Sequence, residues 1–396
     1  MVLGFHSKGS IVIGRLRTTF ILPSSVLLLA SVPCWADIPL DDAGKLSIFG
    51  DFRGRLEADW DSHRSDGSQR DDRNRLRIRL RAGLEYKAND NISFGFRVRS
   101  GSDDSQQSPH ITVLDFDDND TGDAHFNLDK WYFKYSTGNV SAWLGRNSLP
   151  FWKADELLED DDVTPAGLGF TYKVDEITFN AGYFSNPAGM QNFTGNTGVA
   201  QIVWNTALGD TKFVFAGGVI AIDADPDNSN NGFLLDNNGA RDYTIWVGNV
   251  QASLQAMNRP LKLNLDLFHN GENYSASDPD TFTAFHRDET DGYVVSARIG
   301  DTDDRGHWLF GYYYAHIETF AVNNSLAQDD WVRWGNATQT RASNFEGSEF
   351  RAAVGLGSKM NVVARLYVVD GIKLRSATAL DTEDGNRFRV DFNWKF

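Results

Sequence analysis

The stretch RNRLRIRLRAGLEY, residues 73–86, repeats an arginine at every second position over its first nine residues. Mostly aliphatic residues stand between the arginines, and the alternation continues to Leu84. Successive side chains of a β-strand point to opposite faces, so a strand here has a column of guanidinium groups on one face and an apolar surface on the other. A helix would distribute both sets around its axis. The stretch therefore predicts a strand with water on one side and an apolar medium on the other.

The same period of two residues recurs along the chain. Its clearest example is the last segment, in which Phe388, Val390, Phe392, Trp394 and Phe396 alternate with polar residues. No stretch keeps a helical period over three turns, so the pattern predicts an all-β chain. The sixteen alternating segments are 45–60, 73–87, 91–101, 126–136, 139–147, 166–174, 177–186, 198–207, 211–222, 242–256, 261–270, 290–300, 307–318, 345–357, 361–371 and 384–396.

The connections between these segments are alternately short and long. The long polar ones are 61–72, 102–125, 148–165, 187–197, 223–241, 271–289, 319–344 and 372–383. A soluble β-sandwich has no reason to follow this rule, whereas a bacterial outer-membrane barrel has an even number of strands, short periplasmic turns and long external loops. Because lipid offers no hydrogen bonds to an open sheet edge, such a sheet must close. We therefore predict a transmembrane antiparallel up-and-down β-barrel of about 16 strands, with the arginines facing a water-filled lumen.

The first 36 residues are typical of a secretory signal peptide. Lys8, Arg15 and Arg17 form a basic start, an apolar stretch follows at 20–30, and small residues precede Asp37. We expect residues 1–36 to be the signal and residues 37–396 to be the barrel. No later run of about 18 apolar residues occurs, so no membrane-spanning helix is expected.

The charge of the remaining chain restricts its partners. The signal contains the only cysteine and three of the 38 Lys and Arg residues, which leaves 35 against 54 Asp and Glu. The mature chain would then depend on no disulfide or thiol chemistry. Its strong negative charge argues against a nucleic-acid partner.

Two further stretches resemble a known family. The alternating terminal segment that ends in Phe396 is similar to the closing strand of Gram-negative porins, and sixteen strands is the count of the general porins. The sequence LGRNSLPFW at 144–152, followed by DELLEDDD at 155–162, resembles the putative-porin group of bacteria. The resemblance implies a place in the cell outer membrane, contact with its lipid and lipopolysaccharide, a homotrimer, and recognition of Phe396 by the outer-membrane assembly machinery.

The charged residues suggest how such a channel would filter solutes. In porins the third long loop, here residues 148–165, folds into the barrel and narrows it. Its acidic residues are Asp155, Glu156, Glu159, Asp160, Asp161 and Asp162. The basic wall predicted opposite them consists of Arg53, Arg55, Arg75, Arg77, Arg79, Arg81, Arg97 and Arg99, which Arg387 and Arg389 would extend. Opposed rows of fixed charge create a transverse field that favours polar solutes over apolar ones. Asp51, Glu57, Asp59 and Glu85 share the inward parity and are candidate partners for the arginines.

These features predict a channel for passive diffusion of small hydrophilic solutes and ions. An alternative is a selective channel for an anionic solute such as a sugar acid, phosphate or an organic acid, because it would use the same arginines. A barrel enzyme is disfavoured, since the histidines fall mostly in loops or at strand ends and no catalytic residues converge. An adhesin or receptor barrel is the remaining alternative. We expect no cofactor and no metal site, because the acidic stretches near 117–122 and 223–227 lack the closing glutamate of a calcium loop.

Overall fold

The alternating segments form sixteen antiparallel strands, and the sheet closes because the first strand pairs with the last, with Leu56 opposite Val390. The computed structural model describes residues 38–117, 124–225, 227, 238, 241–274, 280–333, 339–357 and 359–396. We number the barrel strands β1 (Leu46–Trp60), β2 (Arg73–Lys87), β3 (Ile92–Ser100), β4 (Phe126–Thr137), β5 (Val140–Arg146), β6 (Ala166–Val174), β7 (Ile177–Pro187), β8 (Phe193–Leu208), β9 (Thr211–Asp223), β10 (Tyr243–Ala256), β11 (Arg259–Asn270), β12 (Asp291–Gly300), β13 (Trp308–Ile317), β14 (Phe345–Gly357), β15 (Met360–Gly371) and β16 (Asp384–Lys395). Each strand falls on one of the predicted segments, so the predicted fold class is confirmed.

The two faces of the strands differ as the alternation predicts. On β1 the Arg55 residue is 1% exposed, whereas its neighbour Leu56 is 52% exposed on the outer face. On β3 the side chains of Phe94 and Phe96 point outward, and the next residue, Arg97, is buried on the other face. On these strands an apolar exterior and a polar interior are the arrangement of a barrel in lipid.

Tight turns join the strands at one end of the barrel. The turn between β10 and β11 has positive φ at both central residues, 53° at Met257 and 57° at Asn258. Positive φ at both positions matches the right-handed twist of the flanking strands, as in other two-residue hairpins. The opposite end carries the long connections, as the sequence predicts.

Two of the predicted long connections differ from the structure in the pairing of the main sheet. The connection predicted at 187–197 is reduced to 188–192, because β7 and β8 continue their pairing beyond the predicted ends, from Asn186 opposite Thr194 to Pro187 opposite Phe193. The connection predicted at 102–125 contains a short strand, Ile111–Asp115, which pairs with β2 above the end of β3. Polar residues dominate the first region and acidic residues flank the second, so their composition resembled that of loops.

The segment 101–110 leaves the sheet between β3 and the short strand. Gly101 starts this departure at a φ of 108°, and a Cβ there would lie 2.7 Å from the Cα of Pro109. Glycine permits this close return of the chain. Gln106 and Gln107 within the segment are 1% and 3% exposed, so it packs against other parts of the protein.

Loops 147–165 and 318–344 form the apolar core together with the inward faces of strands on the wall opposite the arginines. Leu157 and Leu158 of the first loop and Leu326 of the second are each 3% exposed. The backbone N–H of Asp160 donates to the carbonyl oxygen of Leu326 at 2.8 Å and joins the two loops directly. The long-loop half of the barrel interior therefore contains two packed loops.

Some predictions fall on residues outside the described part of the chain. They include the signal peptide at 1–36 and most of the acidic stretch at 117–122. Within the described residues, no helix is long and apolar enough to cross a membrane.

Candidate functional site

Four neighbouring strands, β16, β1, β2 and β3, place the predicted arginines on one wall of the interior. The strand register sets Arg55 opposite Arg77, and Arg53 opposite Arg79. Directly opposed like charges destabilise a strand pair. The wall therefore depends on carboxylates that lie between the arginines.

One cluster of charges on the wall lies towards the tight turns and is centred on Asp51. Its Oδ1 lies 2.8 Å from Nη2 of Arg79, and its Oδ2 lies 2.6 Å from Nε of Arg81. The same two arginines contact Asp162 of loop 147–165, with Nη1 of Arg79 3.3 Å from Oδ2. A carboxylate of the wall and a carboxylate of the loop thus share one pair of arginines.

A second cluster lies towards the long connections and contains Glu57 and Asp59. Glu57 contacts Arg75, lies 2.7 Å from Nε of Arg389, and lies 3.6 Å from Nη1 of Arg77. Asp59 lies 2.7 Å from Nη2 of Arg73 and 2.5 Å from Nε of Arg387. The remaining candidate partner, Glu85, accepts a hydrogen bond from the hydroxyl of Tyr132 at 2.8 Å.

The other predicted arginines have separate partners. The Nε of Arg53 donates to Asn393 at 2.7 Å, and the Nε of Arg55 lies 2.6 Å from Asp391. The Nε of Arg97 donates to Asp129 at 2.6 Å. Arg99 is fully buried under the segment 101–110, where its Nη2 donates to the carbonyl oxygen of Ser105 at 2.6 Å. Arg99 therefore supports that segment rather than facing an open lumen.

The structure brings one of the six predicted loop carboxylates, Asp162, to the basic wall. The other five contact residues elsewhere in the interior. Asp155 accepts from the hydroxyl of Ser296 on β12 at 3.0 Å, Glu156 accepts from Gln328 at 2.7 Å, and Asp160 accepts from the backbone N–H of Asp162 at 2.7 Å. Lys153 pairs with both Glu159 and Asp161 and lies 2.9 Å from the latter.

Asp330, on loop 318–344, is a contact of the basic wall that the sequence did not indicate. Its Oδ1 lies 2.6 Å from Nη1 of Arg389 and 3.5 Å from Nη1 of Arg55. Burial alone would disfavour the charged carboxylate, but Arg389 and Arg55 outweigh it and hold the pKa of Asp330 well below its usual value. Nearby apolar residues such as Leu326 and Trp331, which are unusual in a solvated loop, are the signal that could have revealed its inward position.

The acidic loop contains carboxyl groups with raised pKa values. Burial is the main cause at Asp160, and the charges of Asp162 and Glu156 add to it, so its pKa lies well above the usual value. Glu156 is accessible to solvent, but the protein surrounds it inside the barrel. This enclosure, together with the neighbouring Asp161, raises the pKa of Glu156 to about 7.

Comparison with known proteins gives a family match over part of the chain and several structures of similar fold. Residues 61–188, from the connection after β1 to the end of β7, match the family described as "Putative porin". The structure is similar to OprB of Pseudomonas putida, with a TM-score of 0.54 and 14% identity over 89% of this chain and 94% of that chain. The chain has the fold of an outer-membrane porin. It is also similar to Salmonella typhi OmpF in a complex with daunomycin, with a TM-score of 0.51 and 13% identity over 89% of this chain and 97% of that chain.

The porin fold and the family match support an outer-membrane channel rather than an enzyme. No curated protein sequence matches the chain. Among the described residues, no group of three or more His, Cys, Asp or Glu side chains is placed to hold a metal ion.

Proposed function

We propose that this porin-type barrel is a water-filled channel through which small hydrophilic solutes and ions diffuse passively. The filter is the region where the basic wall meets the acidic loop 147–165. The observation that supports it best is the position of Asp162, by which the inward loop contacts Arg79 and Arg81 directly. Fixed charges of opposite sign on facing surfaces orient water and polar solutes and disfavour apolar ones.

A second candidate function is a selective channel for an anionic solute. Two loops, 147–165 and 318–344, pack inside the barrel, so the passage is narrower than one inward loop would leave it. The passage also runs beside a wall in which arginines outnumber the carboxylates that contact them. Narrowing and excess positive charge together favour a specific anion over general diffusion.

The partners of the channel follow from its exterior. The outward apolar residues would contact lipid, and the long loops would meet lipopolysaccharide at the cell surface. Phe396 exchanges two backbone hydrogen bonds with Gly50 on β1, at 2.9 and 3.0 Å, and so completes the closing seam. We propose that the assembly machinery reads this terminal strand before closure and that the barrels associate as a homotrimer, which native mass spectrometry would test.

Planar-bilayer conductance of the purified protein tests the proposed function. A large, linear and unsaturable conductance would support general diffusion, and block by one class of solute would support selectivity. Absence of conductance would contradict both. Replacement of Arg77 and Arg79 with alanine should move the reversal potential in a salt gradient toward cation selectivity. The exposed Arg287, replaced in the same way, is the matched control and should leave the potential unchanged.

A further inference from the structure

A polar cavity of roughly 160 Å³ lies between the basic wall and the inward loops. Seven arginines line it: Arg73, Arg75 and Arg77 from β2, Arg387 and Arg389 from β16, and Arg333 and Arg341 from loop 318–344. The segment 101–110 contributes Ser108 and His110 from a third side. At about 30 Å³ for each water molecule, the cavity has room for about five waters or one small solute.

The charges around this cavity do not cancel. In the part of the chain that the structure describes, four carboxylates lie within ion-pair distance of the seven arginines, namely Glu57, Asp59, Asp329 and Asp330. Among these described groups, the arginines outnumber the carboxylates by three. An excess of this kind in an enclosed site attracts an anion more strongly than the same charges would at an exposed surface.

Arg77 has only long contacts in the cavity. Its nearest carboxylate, Glu57, lies 3.6 Å away, and its hydrogen bonds to Ser108 and to the carbonyl oxygen of His110 are long, at 3.4 and 3.5 Å. Within the described residues, the Nε atoms of Arg75 and Arg77 and the Nη1 atom of Arg333 are buried and have no hydrogen-bond partner. Buried polar atoms without partners are costly, so these three N–H groups indicate a site for acceptor oxygens.

His110 adds a polar group of defined charge. Enclosure by protein, with Arg55 and Arg77 nearby, holds the pKa of His110 well below its usual value. The imidazole is therefore neutral near pH 7, and its Nε2 atom, which has no hydrogen-bond partner among the described residues, can donate to or accept from a solute. A neutral group beside the guanidinium groups contributes hydrogen bonding without further repulsion.

We propose that this cavity is a binding site for a small divalent oxyanion, held by the guanidinium groups of Arg75, Arg77 and Arg333. Planar guanidinium groups bind phosphate and carboxylate oxygens in pairs, which a compact ammonium group does not. The inference rests on the proposed channel and names the class of solute that it concentrates. Inorganic phosphate and a short dicarboxylate share this chemistry, and separate titrations distinguish them.

Isothermal titration calorimetry on the full-length protein in detergent, at constant ionic strength, tests the site. The probes are phosphate, succinate, chloride and glucose. We expect saturable binding of phosphate or succinate, and no saturable binding of chloride or glucose. Replacement of Arg77 or Arg333 with glutamine should weaken the binding at least tenfold, and Arg77→Lys should restore only part of it because the planar fork is lost. Arg298→Gln, a charge removal on β12 outside the cavity lining, should leave the binding unchanged.

Conductance measurements separate this inference from the channel itself. The bound anion should reduce the KCl conductance of the wild-type barrel in a saturable way and have little effect on Arg77→Gln. A conducting barrel that binds neither divalent probe would overturn the cavity site and leave the channel standing. A barrel that binds phosphate or succinate but never conducts would overturn the channel and leave the site standing. Equal loss of binding in Arg298→Gln would also contradict the assignment to this cavity.

Discussion

Asp330 Oδ1 lies 2.6 Å from Arg389 Nη1, so an ion pair ties the inward loop 318–344 to the strand that closes the barrel. Arg389 also lies 2.7 Å from Glu57 on β1, the strand that forms the other side of the seam. The loop, the last strand and the first strand thus share one charged cluster. The position of the loop and the closure of the wall should therefore depend on each other.

Replacement of Asp330 with asparagine should release loop 318–344 from the wall. Removing one partner of a buried ion pair destabilises a protein by about 3–5 kcal/mol, and since Asp330 is partly exposed we expect the low end, about 3 kcal/mol. The measurement is the free energy of unfolding in urea in lipid vesicles. Faster proteolysis within the loop and a larger single-channel conductance should accompany the loss.

The matched control for Asp330→Asn is Asp288→Asn, because the Asp288 side chain is 89% exposed and its contact with Arg287 lies at the surface. Exposed ion pairs contribute about 0–1 kcal/mol, so this variant should retain the wild-type stability and conductance. Equal conductances for Asp330→Asn and the wild type would refute the view that this ion pair holds the loop in the passage.

The contacts of Asp162 with the basic wall predict that its replacement changes the ion selectivity of the channel. Its replacement with asparagine leaves Arg79 and Arg81 with Asp51 as their shared carboxylate, so the positive charge beside the passage increases. The reversal potential in a salt gradient should shift toward anion selectivity. Asp161→Asn changes the neighbouring residue in the same way, but Asp161 contacts Lys153 and its side chain is 62% exposed, so a smaller shift is expected. Shifts of the same size in both variants would show that loop charge acts without regard to position.

Each barrel strand could be predicted from the sequence because the membrane imposes a simple physical rule on it. A strand with lipid on one side and water on the other must alternate, as Leu56 and Glu57 do, and the alternation can be recognised without knowledge of any contact. The even strand count and the alternation of short and long connections then select closure over a soluble sheet.

The interior could be predicted only in part. The inward face of Arg79 follows from its strand parity, but its contact with Asp162 depends on the path of a loop. Asp330 and Arg389 are far apart in sequence. The apolar residues Leu326 and Trp331 indicate that loop 318–344 is buried, but they do not indicate which strands it contacts. No local periodicity records which loop turns inward, because that choice depends on packing against distant strands.

The lipid-facing side of the barrel predicts that the free-energy cost of introducing an arginine depends on its depth in the membrane. Leu80 lies within β2 on the lipid-facing side and is 36% exposed, whereas Leu208 ends β8 beside the turn and is 78% exposed. An arginine near the membrane midplane costs about 2–4 kcal/mol, and one near the interface costs about 0–1 kcal/mol. We therefore expect Leu80→Arg to lower the free energy of unfolding by about 2–4 kcal/mol and Leu208→Arg to lower it by less than about 1 kcal/mol. Equal losses, measured by urea unfolding in vesicles, would contradict the assignment of Leu80 to the hydrocarbon region.

The carboxyl groups of loop 147–165 predict a response to pH. The pKa of Glu156 is raised to about 7, so Glu156 is largely protonated at pH 5 and becomes charged as the pH rises through 7. The pKa of Asp160 is shifted in the same direction, mainly by burial. A raised pKa in the folded state means that the folded protein binds more protons than the unfolded one, so the contribution to stability is full below the unfolded pKa and is lost as the pH rises through the folded pKa. The channel should therefore gain negative charge and become more selective for cations between pH 5 and pH 8.

Reversal potentials measured over this range check the response, and Glu156→Gln provides the decisive variant. Glutamine retains a side chain that can hydrogen-bond to Gln328 but cannot ionise, so most of the shift near pH 7 should disappear. Asp301→Asn, at a turn on the opposite end of the barrel, should preserve the shift. The side-chain hydrogen bond with His307 lowers the pKa of Asp301, so this carboxyl group stays charged between pH 5 and pH 8. A shift that survives in Glu156→Gln and disappears in Asp301→Asn would place the titrating group at the turns rather than in the acidic loop.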